Sequence, residues 1–290
     1  MSEPGRREVS DLLRDAAARL RAAGLEEPRR EARRLLERLL GLPALALWSA
    51  DGRSLSVEQA ADYEAVVGRR CRQEPPSRIF GEREFWSLPL ALGPHTLDPR
   101  ADSETLVAAV LARLPERGRP YRILDLGTGS GCLLLALLSE LRQAWGLGVD
   151  LAPGALAVAA ANARSLGLAE RCGWVAGDWT APLGGRFDVV VGNPPYVTVE
   201  EMAQLAPEVA HFDPVLALAG GADGLDAYRA IVPRLRCLLN PGGIVALEIG
   251  SGQSEPVSAL LRSAGLAAPV LERDLGGLPR CLVAREAPRS

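Results

Sequence analysis

The strongest constraint on this chain is a rhythm: from about residue 100 onward, short apolar runs alternate with stretches of helical length. Residues 121–126 read as a strand, 132–141 as a helix, 146–150 as a strand and 155–166 as a helix. Further strands are expected at 173–176, 187–191, 243–249 and 280–284. Strands that alternate with helices predict an α/β fold, a largely parallel sheet with helices on both faces. Ligands of such sheets bind outside the carboxyl ends of the strands, where the strand order reverses. The residues that follow each strand are therefore the first place to look for chemistry.

Residues 1–75 follow a different pattern, that of a small helical bundle. Val9, Leu12, Leu13, Ala16, Ala17 and Leu20 share one helical face, and Gly24 follows as a stop. Pro28 opens a second helix carrying Leu35, Leu36, Leu39 and Leu40. Ser56-Val57-Glu58-Gln59 has the form of a capping box before a third helix with Ala60, Tyr63, Val66 and Val67 on its buried side. Pro75-Pro76 interrupts the helical pattern, and residues 85–90 alternate as a short hairpin or an extended linker. The expected organisation is a helical domain over 1–75, a linker with a hairpin over 76–99, and an α/β domain over 100–290.

The first α/β strand runs into Asp125-Leu126-Gly127-Thr128-Gly129-Ser130-Gly131. Glycines there let the chain turn tightly and let a ligand lie against the backbone. Dinucleotide sites use G-x-G-x-x-G with pyrophosphate at the helix N-terminus. This loop is G-x-G-x-G, has Cys132 at the sixth position, and has no basic residue nearby. A ligand with an ammonium and a sulfonium, such as S-adenosylmethionine, suits it better than a phosphate. Asp150, at the end of the next strand, stands where an acid accepts hydrogen bonds from ribose hydroxyls; the competing role is a cap for the helix near Pro153. Asp178-Trp179 follows the third strand and offers an acid and a ring face for adenine, with a surface turn as the alternative.

The fourth strand leads into Asn193-Pro194-Pro195-Tyr196. Two prolines fix two φ angles and remove two donors, so the turn is rigid. A strand-ending turn is one use of such a sequence. Methyl transfer to a delocalised nitrogen is another. The Asn193 side-chain oxygen and the Pro194 carbonyl would accept both N–H groups of an amide or aromatic amine and aim its lone pair. The nitrogen becomes positive as the methyl arrives, so these acceptors favour the transition state. Tyr196 would pack over the planar target group, and no histidine base is needed; His95 and His211 are far from both motifs in sequence.

Composition removes other classes. A net charge of −3 and a pI near 5.6 argue against a protein that coats nucleic acid. All basic residues are arginine, a composition that reads as coding bias. Five scattered cysteines without a C-x-x-C pair, and two histidines, predict a reducing cytoplasm and no metal site. The N-terminal stretch has no apolar leader-like core, and no window has the length of a membrane span.

Taken together these residues resemble the HemK/PrmC family, the N(5)-glutamine methyltransferases of peptide chain release factors. The likeness covers essentially the whole chain. It includes Gly81-Glu82-Arg83-Glu84-Phe85-Trp86, the 125–131 loop, Asp178-Trp179, Asn193-Pro194-Pro195-Tyr196, residues 212–218 and 220–225, and Glu248-Ile249-Gly250. The resemblance implies a Rossmann-like class I methyltransferase sheet, S-adenosylmethionine as cofactor, and a release factor as protein partner docked by the helical domain. It implies that Gly127, Thr128, Gly129, Ser130, Gly131, Asp150, Trp179 and Asn193 contact the cofactor. Asn193, Pro194, Pro195 and Tyr196 would hold the glutamine of a Gly-Gly-Gln loop, with Asn193, Pro194 and Tyr196 catalytic. The chain departs from the family at Asp98, where an apolar residue is usual, and at Ala101-Asp102-Ser103, where the family reads Pro-Asp-Thr.

Rival readings are a glutamine methyltransferase of a ribosomal protein, a DNA adenine methyltransferase, a nicotinamide oxidoreductase, and an inactive binding scaffold. The acidic composition disfavours the DNA enzyme, the loop spacing disfavours the oxidoreductase, and the intact tetrapeptide disfavours the scaffold. A monomer is expected.

Overall fold

A computed structural model of the chain describes residues 6–43, 45–47 and 53–287. The first five residues, part of the stretch read above for a leader, lie outside them. The chain divides into two compact units, Met1–Phe80 and Gly81–Ser290.

In the first unit, β1 (Arg7–Glu8) leads into α1 (Val9–Ala22), then α2 (Pro28–Leu39), β2 (Ser54–Leu55), α3 (Val57–Cys71) and α4 (Pro76–Phe80). Pro28 opens α2, where its missing N–H costs nothing. Ser56 and Gln59 form the expected capping box, with both bonds at 3.1 Å. The apolar stripes meet in one core that includes Leu20, Leu35, Leu36 and Tyr63. Each such buried side chain contributes roughly 1.5–3 kcal/mol. The buried Tyr63 hydroxyl is satisfied by the Ala32 carbonyl at 2.8 Å.

The second unit opens with the hairpin of β3 (Glu82–Phe85) and β4 (Leu88–Ala91), whose turn residues Trp86 and Ser87 are both left-handed. Of the stretch expected as a linker, Pro76–Phe80 falls in the first unit and the part from Gly81 onward in this one. Phe85 and Leu90 are buried in its core. Asn162 clamps the hairpin, accepting from Ala91 N–H at 2.8 Å and donating to the Ala91 and Ser130 carbonyls.

The remaining elements are α5 (Glu104–Ala112), β5 (Arg122–Leu126), α6 (Cys132–Glu140), β6 (Trp145–Asp150), α7 (Pro153–Ser165), β7 (Cys172–Ala176), β8 (Phe187–Gly192), α8 (Val199–Met202), α9 (Pro207–Phe212), α10 (Asp226–Leu238), β9 (Leu239–Glu248), α11 (Ser254–Ser263), β10 (Val270–Arg273) and β11 (Pro279–Arg285). They form a seven-stranded sheet in the order β10-β11-β9-β8-β5-β6-β7. Strands β5 to β9 are mutually parallel; at one edge β11 pairs antiparallel with β9, and β10 pairs antiparallel with β11. The parallel strands read as nearly unbroken apolar runs because helices cover both faces. Helix α6 shows the consequence: residues 133–138 are all buried, so its sequence carries no polar face. Strand β10 was not anticipated, since its Val-Leu-Glu-Arg sequence is short and half polar.

The chain runs outward from β5 through β6 to β7, then returns to β8 on the other side of β5. The reversal lies between β5 and β8, whose carboxyl ends carry the glycine loop and the tetrapeptide.

Candidate active site

At that reversal lies a cavity of about 420 Å³, within the range of small-molecule sites. Its wall includes Gly127, Thr128, Gly129 and Ser130 from the loop, Asp150 from β6, Asp178 and Trp179 after β7, and Asn193 and Pro195 after β8. Residues drawn from four strand ends thus share one space.

The loop is built by backbone geometry. Gly127, Gly129 and Gly131 take φ values of +70°, +55° and +82°, a region that side chains strain to enter. Gly127 and Thr128 donate their N–H groups to the Val149 carbonyl, both at 2.9 Å, which fastens the loop to β6. At Gly127 an added Cβ would press on the Trp179 ring at 3.1 Å, so the indole lies against the loop. At Gly129 it would meet nothing nearer than 4.0 Å, leaving that backbone open to a ligand.

Asp150 is held by two backbone donors. Its Oδ1 accepts from Ala152 N–H at 2.9 Å, just before α7, and its Oδ2 accepts from Gly129 N–H at 2.8 Å. It still lines the cavity, and each carboxylate oxygen has a second lone pair to offer.

Asp125 does not line the cavity. Its carboxyl is 1% exposed and accepts from Thr128 Oγ1 at 2.6 Å. Burial pushes its pKa up to about 7; the Thr128 hydrogen bond opposes the shift and the Asp150 charge adds to it. Among the described residues, the acids on the cavity wall are Asp150, Asp178 and Asp226, and no arginine joins them. The electrostatics favour a cationic ligand, as expected, with Asp125 serving as a buried brace.

Within the tetrapeptide, Asn193 and Pro195 face the cavity, while Pro194 and Tyr196 do not line it. Pro194 is buried. Among the described residues, neither the Asn193 nor the Pro194 carbonyl accepts a hydrogen bond. The Asn193 amide donates to Ser103 Oγ at 3.4 Å. Tyr196 turns its hydroxyl to Glu248 Oε1 at 3.5 Å, and its carbonyl accepts from Gln253 Nε2 at 3.1 Å.

Glycines cradle this turn. A Cβ at Gly220 would stand 2.7 Å from Tyr196 Cα, at Gly224 2.4 Å from the Tyr196 carbonyl oxygen, and at Gly250 2.9 Å from the Tyr196 ring. The motifs at 220–225 and 248–250 thereby acquire a physical reason.

Sequence reasoning missed the opposite wall. His95, Leu97, Pro99 and Ser103 line it, and so do Pro214, Leu216 and Ala217. His95 was set aside for its distance in sequence, yet its ring packs at the start of α7, 2.2 Å from where a Gly154 Cβ would stand. Buried Asp213 joins the two segments. It accepts from Asp98 N–H at 3.2 Å and from Arg100 at 2.7 Å. The departing residue Asp98 is buried with Arg83 at 3.7 Å. The signal available for these contacts was the pair of motifs at 98–104 and 212–218.

Two known families match the chain. The PrmC N-terminal domain matches residues 11–81, and the Methyltransferase small domain matches residues 100–211. The release factor glutamine methyltransferase of Rhodospirillum rubrum is 53% identical over 274 residues, covering 94% of this chain and 84% of that one. The one from Cereibacter sphaeroides is 44% identical, covering 96% and 98%. Among solved structures, the T. thermophilus 16S rRNA N2 G1207 methyltransferase in complex with AdoMet and guanosine superposes with a TM-score of 0.51 at 22% identity. It covers 71% of this chain and 50% of its own, a likeness of fold.

Proposed function

Since the chain belongs to the release factor glutamine methyltransferase family, we propose that Asn193 and Pro194 hold the side-chain amide of a release-factor glutamine for methylation. The enzyme is an S-adenosylmethionine-dependent protein-(glutamine-N5) methyltransferase, and its substrate glutamine lies in the Gly-Gly-Gln motif that acts in translation termination. The observation that carries the residue assignment is the rigid turn after β8, which meets the glycine loop and Asp150 in one cavity.

The residues present suit the methyl donor. The open backbone at Gly129, the acid at Asp150 and a wall with carboxylates but no arginine fit a cationic nucleoside. Gly127 to Gly131, Asp150, Trp179 and Asn193 hold it in this reading. When bound, it supplies a methyl carbon activated by a positive sulfur.

An amide nitrogen attacks poorly because its lone pair is shared with the carbonyl. Asn193 Oδ1 and the Pro194 carbonyl accept its two N–H groups and orient the lone pair. Both acceptors gain strength as the nitrogen becomes positive, which lowers the barrier more than it deepens binding. The methylated nitrogen sheds one proton to water, because an N-protonated amide is a strong acid. Pro194, buried and without an N–H, keeps the acceptor pair from moving.

The helical unit Met1–Phe80 docks the body of the release factor in this reading. The partner is a protein, a single chain supplies the whole site, and the reaction belongs to the cytoplasm. Among the described residues, no helix is long and apolar enough to cross a membrane.

The test uses methyl-labelled S-adenosylmethionine with purified release factor, the same factor with its loop glutamine changed to alanine, ribosomal proteins and duplex DNA. Label on the release factor that vanishes with the alanine variant supports the assignment. Label on DNA or a ribosomal protein alone overturns it.

A further inference from the structure

Glu248, the last residue of β9, lies behind the tetrapeptide, and no step above uses it. Its side chain is 2% exposed. The strand holds it from both sides: Glu248 pairs with Cys281 of β11, and its carbonyl accepts from Tyr228 Oη at 2.8 Å. Tyr196 Oη donates to its Oε1 at 3.5 Å. Ser103 and Asn193 stand beside the carboxylate and favour its charged form, while its second oxygen, Oε2, is buried with no hydrogen-bond partner among the described residues. Asn193 Nδ2 in turn lies 3.4 Å from Ser103 Oγ.

An ionised carboxylate accepts and never donates. Every group turned toward Glu248 must present a hydrogen. That rule sets the orientation of the Asn193 amide, whose two ends have nearly the same shape. With Nδ2 turned toward Ser103, Oδ1 is left to accept from the target. With the amide reversed, its NH₂ would oppose the N–H groups of the substrate. Resting on the function assigned above, we propose that Glu248 is a positioning residue. As a buried acceptor for Tyr196 beside Ser103, to which Asn193 donates, it fixes the orientation of Asn193 that presents an acceptor to the glutamine amide.

Packing does not require an acid here. Burying a carboxylate is costly, and a glutamine would fill the same volume at lower cost. Burial pushes the pKa up to about 7, with Ser103, Arg280 and Asn193 pulling it back and Asp102 pushing it further up. The groups around it are Arg280 and Cys281 from β11, Asp102 and Ser103 before α5, Asn193 and Tyr196 from the turn, Tyr228 from α10, and Cys132 at the start of α6. Protonation gives the side chain a hydrogen of its own, and it then no longer dictates which end of Asn193 faces inward.

The experiment compares wild type, E248Q and E248D in donor affinity and in steady-state methylation of the release factor across pH. The expected E248Q enzyme binds S-adenosylmethionine within about twofold of wild type while kcat falls about tenfold or more, the scale of one misplaced hydrogen bond. KM for the release factor changes less. The wild-type kcat falls on acidification with a midpoint near neutrality, E248Q loses that limb, and E248D restores part of the turnover. Wild-type kcat and pH dependence in E248Q overturn the proposal. So does equal damage in E248Q and E248D accompanied by lost donor binding, which marks a packing role. A wild type that labels the release factor beside an unaffected E248Q overturns this proposal alone; a wild type that labels none overturns the assigned function with it.

Discussion

Gly129 donates its backbone N–H to Oδ2 of Asp150 at 2.8 Å, tying the middle of the glycine loop to the end of the neighbouring strand. The acid therefore braces the glycine loop while itself facing the cavity.

Asp150→Ala is expected to weaken S-adenosylmethionine binding by about 1–3 kcal/mol, through lost charged hydrogen bonds and a loosened Gly129. Titration calorimetry reads this directly. A dissociation constant equal to that of wild type would confine Asp150 to its bonds with Gly129 and Ala152.

Asn193→Ala is expected to cut kcat by roughly a hundredfold or more, the scale of removing one transition-state acceptor. The protein should stay folded, because Asn193 is only half-buried and its side chain makes one long hydrogen bond of 3.4 Å. Thermal unfolding beside single-turnover methylation checks both halves, and unimpaired methylation would refute the assigned role.

Gly224→Ala tests the cradle. The new Cβ would stand 2.3 Å from Gln253 Nε2 and 2.4 Å from the Tyr196 carbonyl oxygen, at a φ of +74°. A destabilisation of about 1–3 kcal/mol is expected from strain of this kind, together with a loss of turnover as the tetrapeptide shifts. A variant with wild-type melting and wild-type kcat would show that the turn does not need this close approach.

Asp125 predicts a pH dependence of stability. Burial raises its folded pKa to about 7, from 3.8 for the ordinary carboxyl. The folded state thus holds this proton more tightly than the unfolded chain does. The stability it contributes is fully present below pH 4 and is lost as pH rises through 7, at roughly 1.4 kcal/mol per pKa unit as an upper scale. Denaturant melts of wild type and Asp125→Asn across this window should show the variant gaining relative stability as pH rises. A constant difference would mean that Asp125 titrates in its ordinary range.

Much of the site was legible in the chain because its parts are local. The conformations of Gly127, Gly129 and Gly131 follow from the absence of Cβ atoms, and the stiffness at Pro194-Pro195 follows from ring closure. Both lie within a few residues of an apolar strand that announces itself by pattern. The capping box at Ser56 and Gln59 was equally readable, since its two bonds span three residues.

The opposite wall was not legible. His95 and Ser103 reach the cavity through a segment of no regular periodicity, fastened by Asp213 from beyond β8. Pro194 and Tyr196 share a motif with Asn193, yet only tertiary packing turned Tyr196 toward Glu248 and away from the cavity. Asp125 opens the loop in sequence but is turned inward by its bond to Thr128.

The sequence by itself determined the α/β class, the helical N-terminal segment, the glycine-rich and Asn-Pro-Pro-Tyr turns and the cationic character of the ligand, because each rests on periodicity, ring geometry or charge within a short stretch. Tertiary structure alone decided that those turns meet. That meeting depends on the strand order β6-β5-β8-β9, in which the chain reverses direction between β5 and β8. Strand order is chosen by how helices and strands distant in sequence bury one another, and no local pattern encodes it.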